Sequence, residues 1–127
     1  MDATTNSLNW FEIPVTDMQR AKHFYQVTFS MHMEESEMMG MQMAFFPYEM
    51  GSGKLSGALV QGEFHQPGQN GPLIYLNANP SMDSILEKIE GMGGTVISSK
   101  TQITPEIGYM AIFLDTEGNK ITLHSQE

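Results

Sequence analysis

Cysteine is absent from this 127-residue chain, which excludes disulfides, thiolate metal sites and a cysteine nucleophile. Basic residues are scarce too: six Lys and Arg against fifteen Asp and Glu give a formal charge of -9. Nucleic acid is therefore not expected as a partner, because its phosphates call for a cationic surface. No apolar run approaches the roughly eighteen residues of a membrane span. The polar start MDATTNS lacks the apolar core of a secretion signal. A cytoplasmic protein with no membrane partner is the expectation. Nucleotide-binding glycine motifs and the Gly-x-Ser-x-Gly nucleophile elbow are missing. The four histidines, His23, His32, His65 and His124, show no His-x-His or His-x-x-x-His spacing.

What remains is 40% apolar and 17% charged, the balance of one folded domain with a real core. Twelve methionines are many, and seven crowd between Met31 and Met50. Without a repeated Met-x-x-Met pattern they read as fillers of irregular core and interface space rather than soft-metal ligands.

The order of patterns repeats. Leu8–Val15 reads as a strand, and Asp17 caps a helix with Met18, Ala21, Phe24 and Tyr25 on one face. Met39–Tyr48 and Leu55–Gly62 read as strands, with residues 31–36 as a further candidate. Glu63–Gly71, rich in Gly, Pro and Gln, reads as a linker. Then Pro72–Ala78 reads as a strand, and Met82, Ile85, Leu86 and Ile89 as a helical stripe closed by glycines. Thr95–Ser98 is a strand and Lys100–Glu106 a connection. A closing hairpin follows, with strands Gly108–Leu114 and Lys120–Ser125 around an Asp115-to-Asn119 turn. On that turn Asp115 and Glu117 are expected to face solvent. Trp10 aligns with Leu73, Val15 with Ala78 and Met18 with Met82. The similarity lies in pattern rather than identity and suggests duplication.

Four segments in order resemble one family. They are WFEIPVTDMQRAKHFY, FFPYEMGSGKLSGALVQGE, PLIYLNA with GMGGTVISSKTQI, and GYMAIFLDTEGNKITLHS. The family is the vicinal oxygen chelate superfamily (glyoxalase, bleomycin resistance protein, dioxygenase), in a subgroup related to lactoylglutathione lyase. The resemblance implies an α+β fold of two βαβββ modules forming a cupped, mostly antiparallel sheet, commonly a homodimer. Module 1 would span about 8–62, the linker 63–71 and module 2 about 72–127. One departure is Ser30, where the family often has Gly after the first helix; a different turn is expected there.

In that family a first-strand His or Gln, its counterpart in module 2 and a Glu on the last strand hold a divalent metal. The matching positions here carry Trp10, Leu73 and Thr122. Indole, an aliphatic chain and a neutral hydroxyl do not replace imidazole and carboxylate. The expectation is a member with neither metal nor other cofactor.

Side chains two apart on a strand share a face. If Trp10, Leu73 and Thr122 point into the cup, so do Glu12, Tyr75, Asn77 and His124, with Lys120 at the rim and an aromatic wall from Phe45-Phe46. Trp10, Glu12, Phe46, Leu73, Tyr75, Asn77, Thr122 and His124 are thus the candidate ligand-binding residues, and Glu12 and His124 the candidate catalytic ones. A carboxylate inside an apolar strand is costly unless it has partners. Glu12 therefore reads equally as a base or ligand acceptor and as a structural group bonded to a neighbour. Tyr109 and His65, the latter in the linker, are weaker candidates. Three functions stay open: a cup holding a small apolar or aromatic molecule, a metal-independent lyase or isomerase with Glu12 as base, and a protein-interaction module with a filled cavity.

Overall fold

Helix α1 (Met18–Phe29) begins where Asp17 accepts a hydrogen bond from Arg20 N, satisfying one of the free donors of the first turn. It buries Met18, Ala21, Phe24, Tyr25 and Thr28, the stripe its spacing predicts. At its end Ser30 takes a left-handed φ of 51°. The expected difference at this turn is not found. Ser30 adopts the conformation a glycine would, and its backbone N–H still bonds Val27 O.

The computed structural model describes residues 1–127. Strands β1 (Trp10–Pro14), β2 (Glu34–Met38), β3 (Met41–Phe45) and β4 (Ser56–Gln61) surround α1 in sequence. They form one sheet in the order β1-β4-β3-β2. The plan recurs with β5 (Tyr75–Asn77), α2 (Asp83–Ile89), β6 (Thr95–Thr104), β7 (Gly108–Leu114) and β8 (Lys120–Ser125). Their sheet runs β5-β8-β7-β6. Each half is therefore βαβββ, with a parallel pairing of its first and last strands and antiparallel pairings elsewhere. The expected fold class is what the structure shows.

Two boundaries differ from the sequence reading. The span 31–48 holds a hairpin, β2 to β3, whose turn is Met39-Gly40. Both turn residues have positive φ, 52° and 76°, the geometry that lets a two-residue loop follow strand twist. A methionine is a poor occupant of that conformation, and Met39 is almost fully exposed. Met39→Asn is accordingly expected to raise unfolding stability by about 0.5–1 kcal/mol in urea titrations. The second difference is β6, which runs on to Thr104 where a connection was expected. Its outer residues are polar or exposed, so alternation faded, but pairing with β7 continues through Thr104↔Gly108 across register shifts.

The main core lies between helices and sheets. It joins Ile13, Phe24, Tyr25, Leu59, Phe113 and Leu123 with fellow buried residues of both halves. Burial of this kind contributes roughly 25 cal/mol per Å² of apolar surface. On the opposite face of the first sheet, Met43, Ala58 and Val60 form a small second cluster flanked by Met41 and Phe45.

The halves are also joined by polar groups. Asp115 and Glu117 do not face solvent, contrary to the sequence reading: Asp115 is buried, and so is the Glu117 side chain. The Tyr25 hydroxyl donates to Asp115 Oδ2 at 2.7 Å. Glu117 accepts from Thr16 N, Asp17 N and the Arg20 guanidinium, the last at 2.7 Å. Asn119 Nδ2 donates to Pro14 O at 2.7 Å and to Asp115 Oδ2. The closing turn thus clasps the start of α1 and the end of β1. Burial alone would raise the Glu117 carboxyl, but the bonds from Arg20, Asp17, Thr16 and Thr116 win and hold it at about 2. Burial dominates at Asp115 and pushes it up despite Tyr25 and Asn119. Tyr25, buried beside Asp115, is pushed well above its ordinary value.

Candidate functional site

Strand β1 has the sequence WFEIP, in which Ile13 is buried in the core while Trp10 and Glu12 remain part-exposed. Alternation therefore turns the indole and the carboxylate away from the helices. Both β1 and β5 have a strand neighbour on one side only. Between their free edges lies a cleft of about 650 Å³. Trp10, Glu12, Leu73, Tyr75 and Lys120 line it, together with Asn119 and the linker residues Gln66, Gly68 and Asn70.

Glu12 is held from two sides. The His65 Nε2 lies 2.8 Å from Glu12 Oε1, and because a carboxylate only accepts, the ring nitrogen carries the hydrogen. Trp10 Nε1 donates to Glu12 Oε2 at 3.3 Å. His65 Nδ1 is buried without a partner, near Met41 and Gly62. Sequence reasoning gave His65 little weight because it sits in a Gly- and Pro-rich stretch without periodicity. The linker nevertheless brings it 53 residues back to β1. Its far end is tied as well, since Gly68 N donates to Asn119 Oδ1 at 3.1 Å.

The other expected site residues fall into two places. Thr122, Asn77 and His124 continue along the second sheet, with Tyr75↔Thr122 and Asn77↔His124 as register pairs. They do not line the cleft. Thr122 is fully buried and its hydroxyl has no partner. Asn77 Oδ1 accepts from Asn79 N, and His124 Nε2 donates to Ile107 O at 2.7 Å. Phe46 lies on the helix side, against Phe11 and Tyr25. Its neighbour Phe45 is the one that meets Trp10, edge-on with ring centroids 6.0 Å apart. Tyr109 sits beneath the Lys100 ammonium.

A two-module βαβββ chain with a cleft between its first strands can be set beside known proteins. The family model described as "Glyoxalase/Bleomycin resistance protein/Dioxygenase superfamily" matches residues 7–123. The chain belongs to this superfamily. Solved structures share the fold at low identity. TnmS3, an antibiotic binding protein from Streptomyces sp. CB03234, is 20% identical with a TM-score of 0.63; the match covers 99% of this chain and 100% of that one. The fosfomycin resistance protein FosX from Listeria monocytogenes is 21% identical at TM-score 0.64, covering 96% and 92%. The trypanothione-dependent glyoxalase I of Leishmania major is 13% identical at TM-score 0.67, covering 96% and 88%. No curated protein matches the chain.

Glyoxalase-superfamily chemistry commonly rests on a divalent metal, and the residues here do not fit one. Of the three residues expected at the metal positions, Trp10 and Leu73 line the cleft and Thr122 does not, and none of the three carries an imidazole or carboxylate donor. The nearest such pair, Glu12 and His65, has no third partner: no group of three or more His, Asp or Glu converges anywhere.

Proposed function

We propose that this glyoxalase-superfamily chain is a metal-independent binding protein that holds a small, largely apolar or aromatic molecule in the β1–β5 cleft. The observation that carries the reading is the cleft itself. Its volume of about 650 Å³ suits a drug-sized compound, and Trp10, Leu73 and Tyr75 remain 38%, 43% and 50% exposed along it. Ligand sites of this kind combine apolar walls with a few fixed polar groups, here Glu12 and Lys120. TnmS3, an antibiotic binding protein of the same fold, is consistent with it.

The test is a thermal-shift screen of apolar and aromatic compounds in the presence of EDTA. A compound that binds only the folded state raises Tm saturably, by an amount set by its concentration relative to Kd. Trp10→Ala is expected to weaken such binding about tenfold or more, since stacking and burial are lost. Absence of any shift across a broad library would contradict the reading.

The Glu12–His65 contact favours a second reading, a metal-independent lyase or isomerase with Glu12 as general base. That role requires the carboxylate to exchange its bond to His65 for one to substrate within hydrogen-bond reach. Under this reading Glu12→Gln would lower turnover by about a hundredfold or more while leaving binding intact. Under the binding reading no turnover exists to lose.

A further inference from the structure

We propose that the ligand of the cleft is a short, unblocked, peptide-like molecule. Its extended main chain bridges the free edges of β1 and β5, its ammonium lies at Glu12 and its carboxylate at Lys120. This rests on the cleft being the binding site and adds the class of compound.

The lining fixes the geometry. A cavity over one face of a sheet is lined by alternate residues of a strand, because side chains alternate. Here Trp10 through Pro14 line it without a gap, as do Pro72 through Tyr75 and Asn119 through Ile121. A cavity reached by both sets of side chains lies along the strand edge, where backbone groups point.

Those backbone groups are free. Val15 N–H bonds Val60 O, and the β1–β4 register is parallel. Alternate residues of β1 therefore face β4, while Trp10 and Glu12 turn their N–H and C=O groups to the open edge. On the other side Ile74 O accepts from Thr122 N and Ala78 N donates to His124 O, so Leu73 and Tyr75 turn away from β8. No bond outside the ladders engages the backbone of Trp10, Glu12, Leu73 or Tyr75. Pro14 has no N–H to offer this edge, and its carbonyl is already taken by Asn119. That contact closes one end.

An extended amide chain is the ligand chemistry that answers two opposed strand edges, as in strand addition to a single edge. A strand rises about 3.3 Å per residue, so the open-edge groups of Trp10 and Glu12, two positions apart, engage roughly three residues. Charge gives the ends. Glu12 and Lys120 are the only charged residues of the lining, one of each sign, matching the two termini of an unblocked peptide. The part-exposed Trp10, Leu73 and Tyr75 supply apolar surface for its side chains.

Titration calorimetry of the whole protein with Leu-Leu-Leu tests this. Saturable binding is expected, weakened about tenfold by N-methylation of the central amide, the loss of roughly one hydrogen bond. N-acetylation and C-amidation should each weaken it several-fold. In Glu12→Gln the free and acetylated forms should bind alike, and in Lys120→Met the free and amidated forms should. Equal binding of the N-methylated peptide would overturn the proposal. So would a cleft that binds aromatic compounds, with Trp10→Ala sensitivity, but no peptide; the binding function would then stand without it. A protein that binds neither class contradicts both.

Discussion

Asn119→Ala is expected to lower the unfolding free energy by about 3 kcal/mol and Tm by roughly 10 °C. The side chain makes three hydrogen bonds at once: to Pro14 O of β1, to Asp115 Oδ2 within the turn, and from Gly68 N of the linker. Each contributes about 1 kcal/mol, and the loss leaves the part-buried Pro14 carbonyl without a donor. Asp115 would keep the Tyr25 hydroxyl, so the damage falls on the joint between the halves rather than on the hairpin itself. Urea unfolding measures the first effect. Hydrogen exchange at Gly68 measures the second, because the linker loses the bond that ties it to the closing turn. A change below 1 kcal/mol, with Gly68 still protected, would show that the Asn119 side chain does not hold the joint, leaving it to the Glu117 and Tyr25–Asp115 bonds and apolar packing.

Glu117→Gln is expected to cost about 1–2 kcal/mol at pH 7 and almost nothing near pH 2. The carboxyl sits at about 2 in the folded protein against an ordinary 4.5. A group depressed on folding contributes stability above its unfolded pKa, and that contribution is lost as pH falls through its folded pKa. The window is thus from about 4.5 down to about 2. The full shift corresponds to about 3 kcal/mol, and solvent around the half-exposed Arg20 reduces the measurable part to about 1–2 kcal/mol. Asp115 works in the opposite sense. Its folded pKa is raised, so acid favours its folded, neutral form and offsets part of the loss. Comparing wild type with Glu117→Gln removes the Asp115 contribution to first order. Urea titrations at pH 7, 4 and 2 should show the gap closing. A gap independent of pH would mean that the carboxylate charge contributes nothing to the clasp.

These contacts explain where the sequence could be read and where it could not. Asp17, the Met18–Tyr25 stripe and the Asp115-to-Asn119 turn carry local signals, because capping, helical spacing and turn chemistry act over a few residues. The recurrence of that local plan pointed to two similar halves, and the resemblance to the superfamily supplied the βαβββ order of each. Glu117 was misread because its partners, Thr16, Asp17 and Arg20, lie about a hundred positions away. No spacing rule reaches that far. The polar outer end of β6 lost its alternation, so only its pairing with β7 defines it.

The site divides in the same way. Glu12 stood out as a carboxylate inside an apolar strand, Trp10 and Leu73 followed from the positions the family resemblance marks, and Tyr75 from alternation after Leu73. All four line the cleft. His65 was weakly marked because linker residues have no periodic address, yet it holds Glu12. Strand phase also depends on where the strand stops. β3 ends at Phe45, and Phe46 beyond it turns to the helix side.

The chain's single tryptophan is Trp10, a wall of the cleft, so its fluorescence reports on that place alone. The most direct test is to titrate a compound that raises Tm into the protein in EDTA while following Trp10 emission. A binding site in the β1–β5 cleft that needs no metal predicts a saturable emission change with the Kd that governs the Tm shift. A Tm shift that leaves Trp10 emission unchanged, or that appears only when a divalent metal is restored, would contradict it.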